Sequence, residues 1–168
     1  MSVPLPDCEG MSPIWENDSD KRREANAVAV FEKHFNTHLP KRKGEHPEID
    51  RDVFLGDTHI GYAEIKGRAN ITWPQMEWKY GTVIISAKKL VAAQALLQAV
   101  DYQKLFLMIL ATPDAYHYAT FRQASDFDLE RSVSGSPKID PSDVELCCFV
   151  PCARFSRIPV VFKPKVVT

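Results

Sequence analysis

The chain has 168 residues, 45% of them hydrophobic and 26% charged, with a formal net charge of −1. That length suits one domain with a real core, and the balance excludes a strongly basic protein that coats DNA by bulk charge. No run of 18 apolar residues occurs, which excludes a hydropathy-type transmembrane helix.

Residues 1–14 are proline-rich and lack periodicity, so a loose tail is expected. Acidic residues and prolines stand where a signal peptide needs positive and then apolar ones, so a cytoplasmic protein is expected. Residues 15–160 should form the domain, with 161–168 as a tail or edge strand.

Asp18, Ser19 or Asp20 caps a predicted helix running to about His38. Val28, Phe31 and Phe35 recur at helical spacing and make its core stripe. Glu24 lies on that stripe, four residues before Val28. A carboxylate there is costly unless something positive meets it. That positive group is either a metal ion or a neighbouring lysine or arginine. Glu32 is nearer the stripe's edge. His34 and His38 have i, i+4 zinc spacing but no third ligand, and a surface helix end explains them.

Lys41, Arg42 and Lys43 form a basic run, either a solvated turn or a contact to DNA phosphates. The segment from Asp50 to Lys66 reads as a β-hairpin. Side chains two apart share a face, so Asp50 goes with Asp52 and Glu64 with Lys66. Gly56-Asp57 is a strong turn pair. A simple two-residue turn there opposes Glu64 to Ile49 and sends Asp50 to the other face. A three-residue loop, Gly56 to Thr58, opposes Glu64 to Asp50. Only an odd loop or a bulge therefore builds a cation site.

Residues 69–81 carry Trp73, Trp78 and Tyr80 and read as a loop or short helix. The aromatics either stack on bases or, the favoured reading, pack as ordinary core. Val83-Ile84-Ile85 is a short strand or buried helix entry, after which Ser86 caps a helix over 87–101. Lys88 and Lys89 sit in its first turn, where the helix dipole disfavours cations, so they need an anion such as a phosphate. The apolar run at 104–111 is a central strand buried on both faces. A strand follows at 115–121, a polar surface loop at 122–143 and another strand at 144–150. Cys8, Cys147, Cys148 and Cys152 lack zinc-site spacing and read as reduced, buried thiols. The order of elements gives an α/β sandwich with a mixed central sheet flanked by helices.

Carboxylates held close together stay ionised only with a cation between them, and all-oxygen ligands suit Mg²⁺ or Mn²⁺. Such an ion binds phosphate oxygens and activates water, and a lysine alongside adds charge at the attacking water or the transition state. The bland alternative is a solvated hairpin.

Asp50 with Glu64-Ile-Lys66 resembles the core motif of the PD-(D/E)XK nuclease superfamily, the restriction-endonuclease-like fold. The helix around Arg23-Glu24, the Glu64-Ile-Lys-Gly-Arg68 run and the Tyr80-to-Lys89 segment are similar to those of small phage-type members, over roughly residues 18 to 160. Ile49 replaces the motif proline, and Asp52 is the fallback for Asp50. The resemblance implies a Mg²⁺-dependent DNA nuclease, with Mn²⁺ able to substitute. Asp50, Glu64 and the Ile65 carbonyl would hold the ion, and Glu24 would bind water or a second ion. Lys66 would act on the water or the developing charge. Lys41, Arg42, Lys43, Arg68, Lys88 and Lys89 are the expected DNA contacts. Phage recombination, junction resolution and DNA degradation stay open. So does a homodimer, for which no sequence feature marks a face. The other class to keep is a silent nuclease-fold module that binds DNA or a protein partner.

Overall fold

The computed structural model describes residues 18–44, 48–134 and 145–160; the expected tails at 1–14 and 161–168 lie outside them. The order is α1 (Asp18–Phe35), β1 (Arg51–Leu55), β2 (Thr58–Gly67), α2 (Trp73–Lys79), β3 (Thr82–Ser86), α3 (Ala87–Gln98), β4 (Leu105–Ala111), β5 (Tyr116–Phe121), β6 (Glu130–Ser134), β7 (Glu145–Pro151) and β8 (Ser156–Ile158). Five strands form a mixed sheet in the order β1-β2-β4-β5-β8, with β2 and β4 parallel and the other neighbours antiparallel. A three-stranded sheet runs β3-β7-β6.

Alternation along the strands builds two cores. On one face Ala27, Val28 and Phe31 of α1 bury against Val53, Ala63, Ile65, Leu107 and Ile109. On the other, Tyr62, Phe106, Met108 and Leu110 bury against Met76 of α2, Val83 and Ile85 of β3, and Leu90, Ala93 and Leu97 of α3. The expected mixed sheet flanked by helices is therefore the observed architecture. Phe106 to Ala111 of β4 are buried without a break. At ~1.5–3 kcal/mol for each large apolar side chain, that strand outweighs the several kcal/mol lost in burying one carboxylate beside it. The carboxylate is Glu64, whose Cα partner on β4 is Met108.

Element ends differ from expectation for local reasons. Helix α1 stops at Phe35, because Asn36 takes a left-handed φ of 51°. Helix α3 stops at Gln98, and Asp101 and Tyr102 are both left-handed. Residues 69–81 hold the short α2, whose start is fixed by a capping box between Thr72 and Gln75. Ser86 occupies the N-cap of α3 but caps no backbone amide; its hydroxyl donates to Glu145 Oε1 at 2.6 Å. Part of the expected loop at 122–143 is strand β6. The basic run is not a loose turn. The backbone of residues 38–42 hydrogen-bonds along β1, with the Arg42 amide donating to the Asp50 carbonyl at 2.9 Å. Cys147 is disulfide-bonded, whereas Cys148 and Cys152 are buried free thiols, so the expectation of reduced cysteines holds for those two and fails for Cys147. No helix among the described residues is long and apolar enough to cross a membrane.

Candidate active site

The hairpin register sets the geometry. Leu55 pairs with Thr58 and Phe54 with His59, so the connection is the two-residue turn Gly56-Asp57, with Gly56 at φ 59°. Beyond it Val53 pairs with Gly61, Asp52 with Tyr62 and Arg51 with Ala63. Ile60 is left over as a bulge in β2. Continued by one residue, that register sets Asp50 opposite Glu64. The odd residue comes from the bulge, while the turn itself is even. Gly61 belongs beside it, because a Cβ there would collide with the Leu105 carbonyl where β2 meets β4.

Tyr62, Glu64 and Lys66 project from the sheet face covered by α3 and β3, away from α1. Glu64 is 2% exposed and Lys66 5%. Helix α3 starts over this face and supplies a third charged group. Lys89 Nζ donates to Glu64 Oε1 at 2.8 Å and lies 3.5 Å from Asp50 Oδ1. The anion expected for that first-turn lysine is thus the protein's own carboxylate pair. Burial, and next the Asp50 charge, push the Glu64 carboxyl up to about 7 against the pull of Lys89 and Lys66. Burial lowers the Lys66 ammonium from its usual range, opposed chiefly by Glu64. Lys66 forms no hydrogen bond or ion pair among the described residues.

A divalent ion fits this donor set. Glu64 Oε2 is buried and has no hydrogen-bond partner among the described residues. Asp50 lies against the same ammonium as Glu64, which shows how near the two carboxylates are. No group of three or more acidic, histidine or cysteine side chains suited to a metal forms among the described residues. The side chains therefore offer two carboxylates, and the remaining oxygens would come from backbone, water or substrate, a usual pattern for Mg²⁺. Ile65, between Glu64 and Lys66, buries its side chain on the α1 face.

Other expected site residues are engaged elsewhere. Glu24 accepts from Arg51 Nη2 at 3.1 Å, and Arg51 also donates to the Leu39 carbonyl at 2.8 Å. Arg51 alternates with Asp50 and Asp52 along β1, so it points to the α1 face and holds Glu24 there. Glu24 thus has the arginine partner that was the alternative to a metal. Asp52 lies 2.9 Å from His59 Nε2 and 3.6 Å from Arg42 Nε. His59 Nδ1 in turn lies 2.7 Å from Lys104 Nζ. Asp50 rather than Asp52 is therefore the aspartate beside Glu64. Arg42 also sits over the Tyr62 ring, 5.1 Å from its centre. Arg68 is buried and donates to the Gly67 and Ile84 carbonyls, bracing the end of β2 against β3. Lys41, Lys43 and Lys88 are exposed. Trp73 stacks on His117 at 3.7 Å, whereas Trp78 is 84% exposed. An open cavity of about 350 Å³ lined by Ile60, Tyr102, Gln103, Lys104, Leu105 and Arg122 has no carboxylate in its wall.

Arg51 and His59 were missed in the sequence. Arg51 had a signal, since an arginine between two aspartates on a strand must face away from them. His59 had none, because the bulge decides where it points.

A mixed sheet whose hairpin presents an aspartate, a glutamate and a Glu-x-Lys lysine on one face defines the PD-(D/E)XK nuclease class. The chain belongs to the family described as phage putative PDDEXK endonuclease, whose model matches residues 11–158. A search of curated proteins finds no match. Among solved structures, the chain is similar to Hjc of Archaeoglobus fulgidus, a Holliday junction resolvase from an archaeal hyperthermophile. The identity is 16% over 58% of this chain and 74% of that one, with a TM-score of 0.42.

Proposed function

We propose that the chain is a metal-dependent DNA nuclease and that Asp50, Glu64 and Lys66 carry the hydrolysis. The observation that supports this most is the buried Glu64, set against Asp50, with one oxygen unpartnered among the described residues and within the electrostatic reach of Lys66. Asp50 and Glu64, with the Ile65 carbonyl, would hold Mg²⁺, and Mn²⁺ can take its place. When bound, the ion supplies Lewis-acid activation of water and charge neutralisation at a phosphate oxygen.

The chain's own residues do the rest. Lys66 directs its ammonium at the water or at the charge building on phosphorus. The water oxygen bonds to phosphorus as the bond to the 3′ oxygen breaks, leaving a 5′-phosphate and a 3′-hydroxyl. Lys41, Lys43 and Lys88 contact backbone phosphates, which sets register on the DNA without reading sequence. Glu24 and Arg68 brace the fold and stay outside the reacting set.

One competing reading has an observation behind it. Lys89 already neutralises both carboxylates, as a silent module that grips DNA or a protein would require. Cleavage of linear, flapped, single-stranded and four-way DNA with Mg²⁺ or Mn²⁺ separates the two. We expect cutting that chelation abolishes. No cutting of any form leaves the binding module.

A further inference from the structure

Lys89 is a residue of two partners. Its ammonium lies 2.8 Å from one oxygen of Glu64 and 3.5 Å from one oxygen of Asp50, and its side chain is only 18% exposed. These are the two carboxylates that the proposed function gives to a divalent ion. Three of the groups, Asp50, Glu64 and Lys89, form one compact ion cluster, with Lys66 close enough to oppose the rise at Glu64. Two negative and two positive side chains balance. A doubly charged ion added to that set leaves an excess of positive charge, and a lysine in contact with its ligands is strongly repelled.

We propose that Lys89 occupies the metal position of the resting protein, and that it must give up the Asp50–Glu64 pair for a divalent ion to bind. This deepens the reading of the site given above and rests on it. Once displaced, the ammonium needs another anion. It stands in the first turn of α3, where the helix dipole also favours an anion over a cation. A substrate phosphate meets both needs. Metal and DNA then bind cooperatively, because each pays part of the cost of moving Lys89: the ion takes its old partners and the phosphate becomes its new one. By linkage, DNA tightens the ion as much as the ion tightens DNA.

Lys66 does not fit this role. It is more deeply buried than Lys89 and forms no ion pair among the described residues, so an incoming ion does not have to break one. Lys88, the sequence neighbour, is exposed and pairs with neither carboxylate among the described residues.

The test is Mn²⁺ binding to the full chain, read by calorimetry with and without a short duplex, in wild type, Lys89→Met, Lys89→Gln and Lys33→Gln. Lys89→Gln keeps a hydrogen-bond donor near Glu64 and guards against a methionine variant that folds poorly. Without DNA, both Lys89 variants should bind Mn²⁺ roughly ten-fold more tightly than wild type, and DNA should improve their affinity by less than it improves that of wild type. Lys33→Gln, exposed on α1 on the other side of the sheet, should bind as wild type does. If wild type binds Mn²⁺ and the Lys89 variants bind it equally or more weakly, Lys89 is not the resting occupant and the inference falls alone. If Mn²⁺ binds to no form, with or without DNA, the metal reading falls and takes the inference with it.

Discussion

Asp50 lies opposite Glu64 because one residue, Ile60, bulges from β2 between the turn and the site. Without the bulge, the turn Gly56-Asp57 would throw the two carboxylates to opposite faces of the hairpin. Deleting Ile60 itself removes the bulge yet leaves Val53 opposite Gly61 and Asp50 opposite Glu64 through the same two-residue turn. That variant should therefore keep metal-dependent cleavage, with circular dichroism reporting a folded chain. A folded deletion variant that no longer cuts would contradict the register as the role of the bulge.

Glu24 is held by Arg51 on the α1 side of the sheet. Arg51 is buried and Glu24 half-buried, so the pair outweighs an exposed ion pair. Glu24→Gln should lower stability by about 1–3 kcal/mol and leave cleavage within ten-fold of wild type. Activity as low as that of Glu64→Gln would return Glu24 to the metal.

The Glu64 carboxyl is raised from 4.5 to about 7, by burial and then by Asp50. A raised carboxyl in the folded state means that folding favours the protonated form. Its penalty is complete above about pH 7 and fades as pH falls toward 4.5, with an upper bound on the order of 3 kcal/mol. In metal-free protein, the stability advantage of Glu64→Gln over wild type should be largest at pH 8 and should shrink steadily toward pH 5. Mg²⁺ at pH 8 should raise the wild-type melting temperature and leave that of Glu64→Gln unchanged. A pH-independent difference between the two would contradict the buried, unpartnered carboxyl.

His117 has the opposite sign. Burial, aided by Arg157, lowers it from 6.5 to about 4 against the pull of Asp114. The unfolded chain then takes up a proton below pH 6.5 that the folded chain refuses, so stability is lost as pH falls from 6.5 to 4. The Glu64 effect runs against this over the same range, so the background for the test is Glu64→Gln. There, His117→Phe keeps a ring against Trp73 and should flatten the acid limb of the melting curve. An unchanged acid limb would mean that another group sets it.

Much of the fold was legible because it follows from local rules. The unbroken apolar run of β4 and the stripe of Val28 and Phe31 could be read directly. Face-sharing by Glu64 and Lys66 follows from strand parity alone. The need for one odd residue in the hairpin was also visible, but its place was not, since nothing in its type marks Ile60 as the bulged residue. Strand β6 was hidden because Glu130–Ser134 holds a single apolar residue, Val133, and that side chain is exposed. The partner of Lys89 depends on how α3 lies across β2, a tertiary fact that first-turn chemistry hints at without specifying. Arg68 had the composition of a DNA contact and became a buried brace, because the end of β2 needed a donor for the Ile84 carbonyl.

The most direct test is single-turnover cleavage in Mg²⁺ by wild type, Asp50→Asn, Glu64→Gln and Lys66→Met, with DNA binding measured on the same preparations without divalent ion. The account predicts that each substitution slows cleavage by roughly 10²–10³-fold or more while the metal-free DNA affinity of each folded variant does not fall below wild type. Wild-type cleavage rates in the Glu64→Gln and Lys66→Met proteins would contradict it.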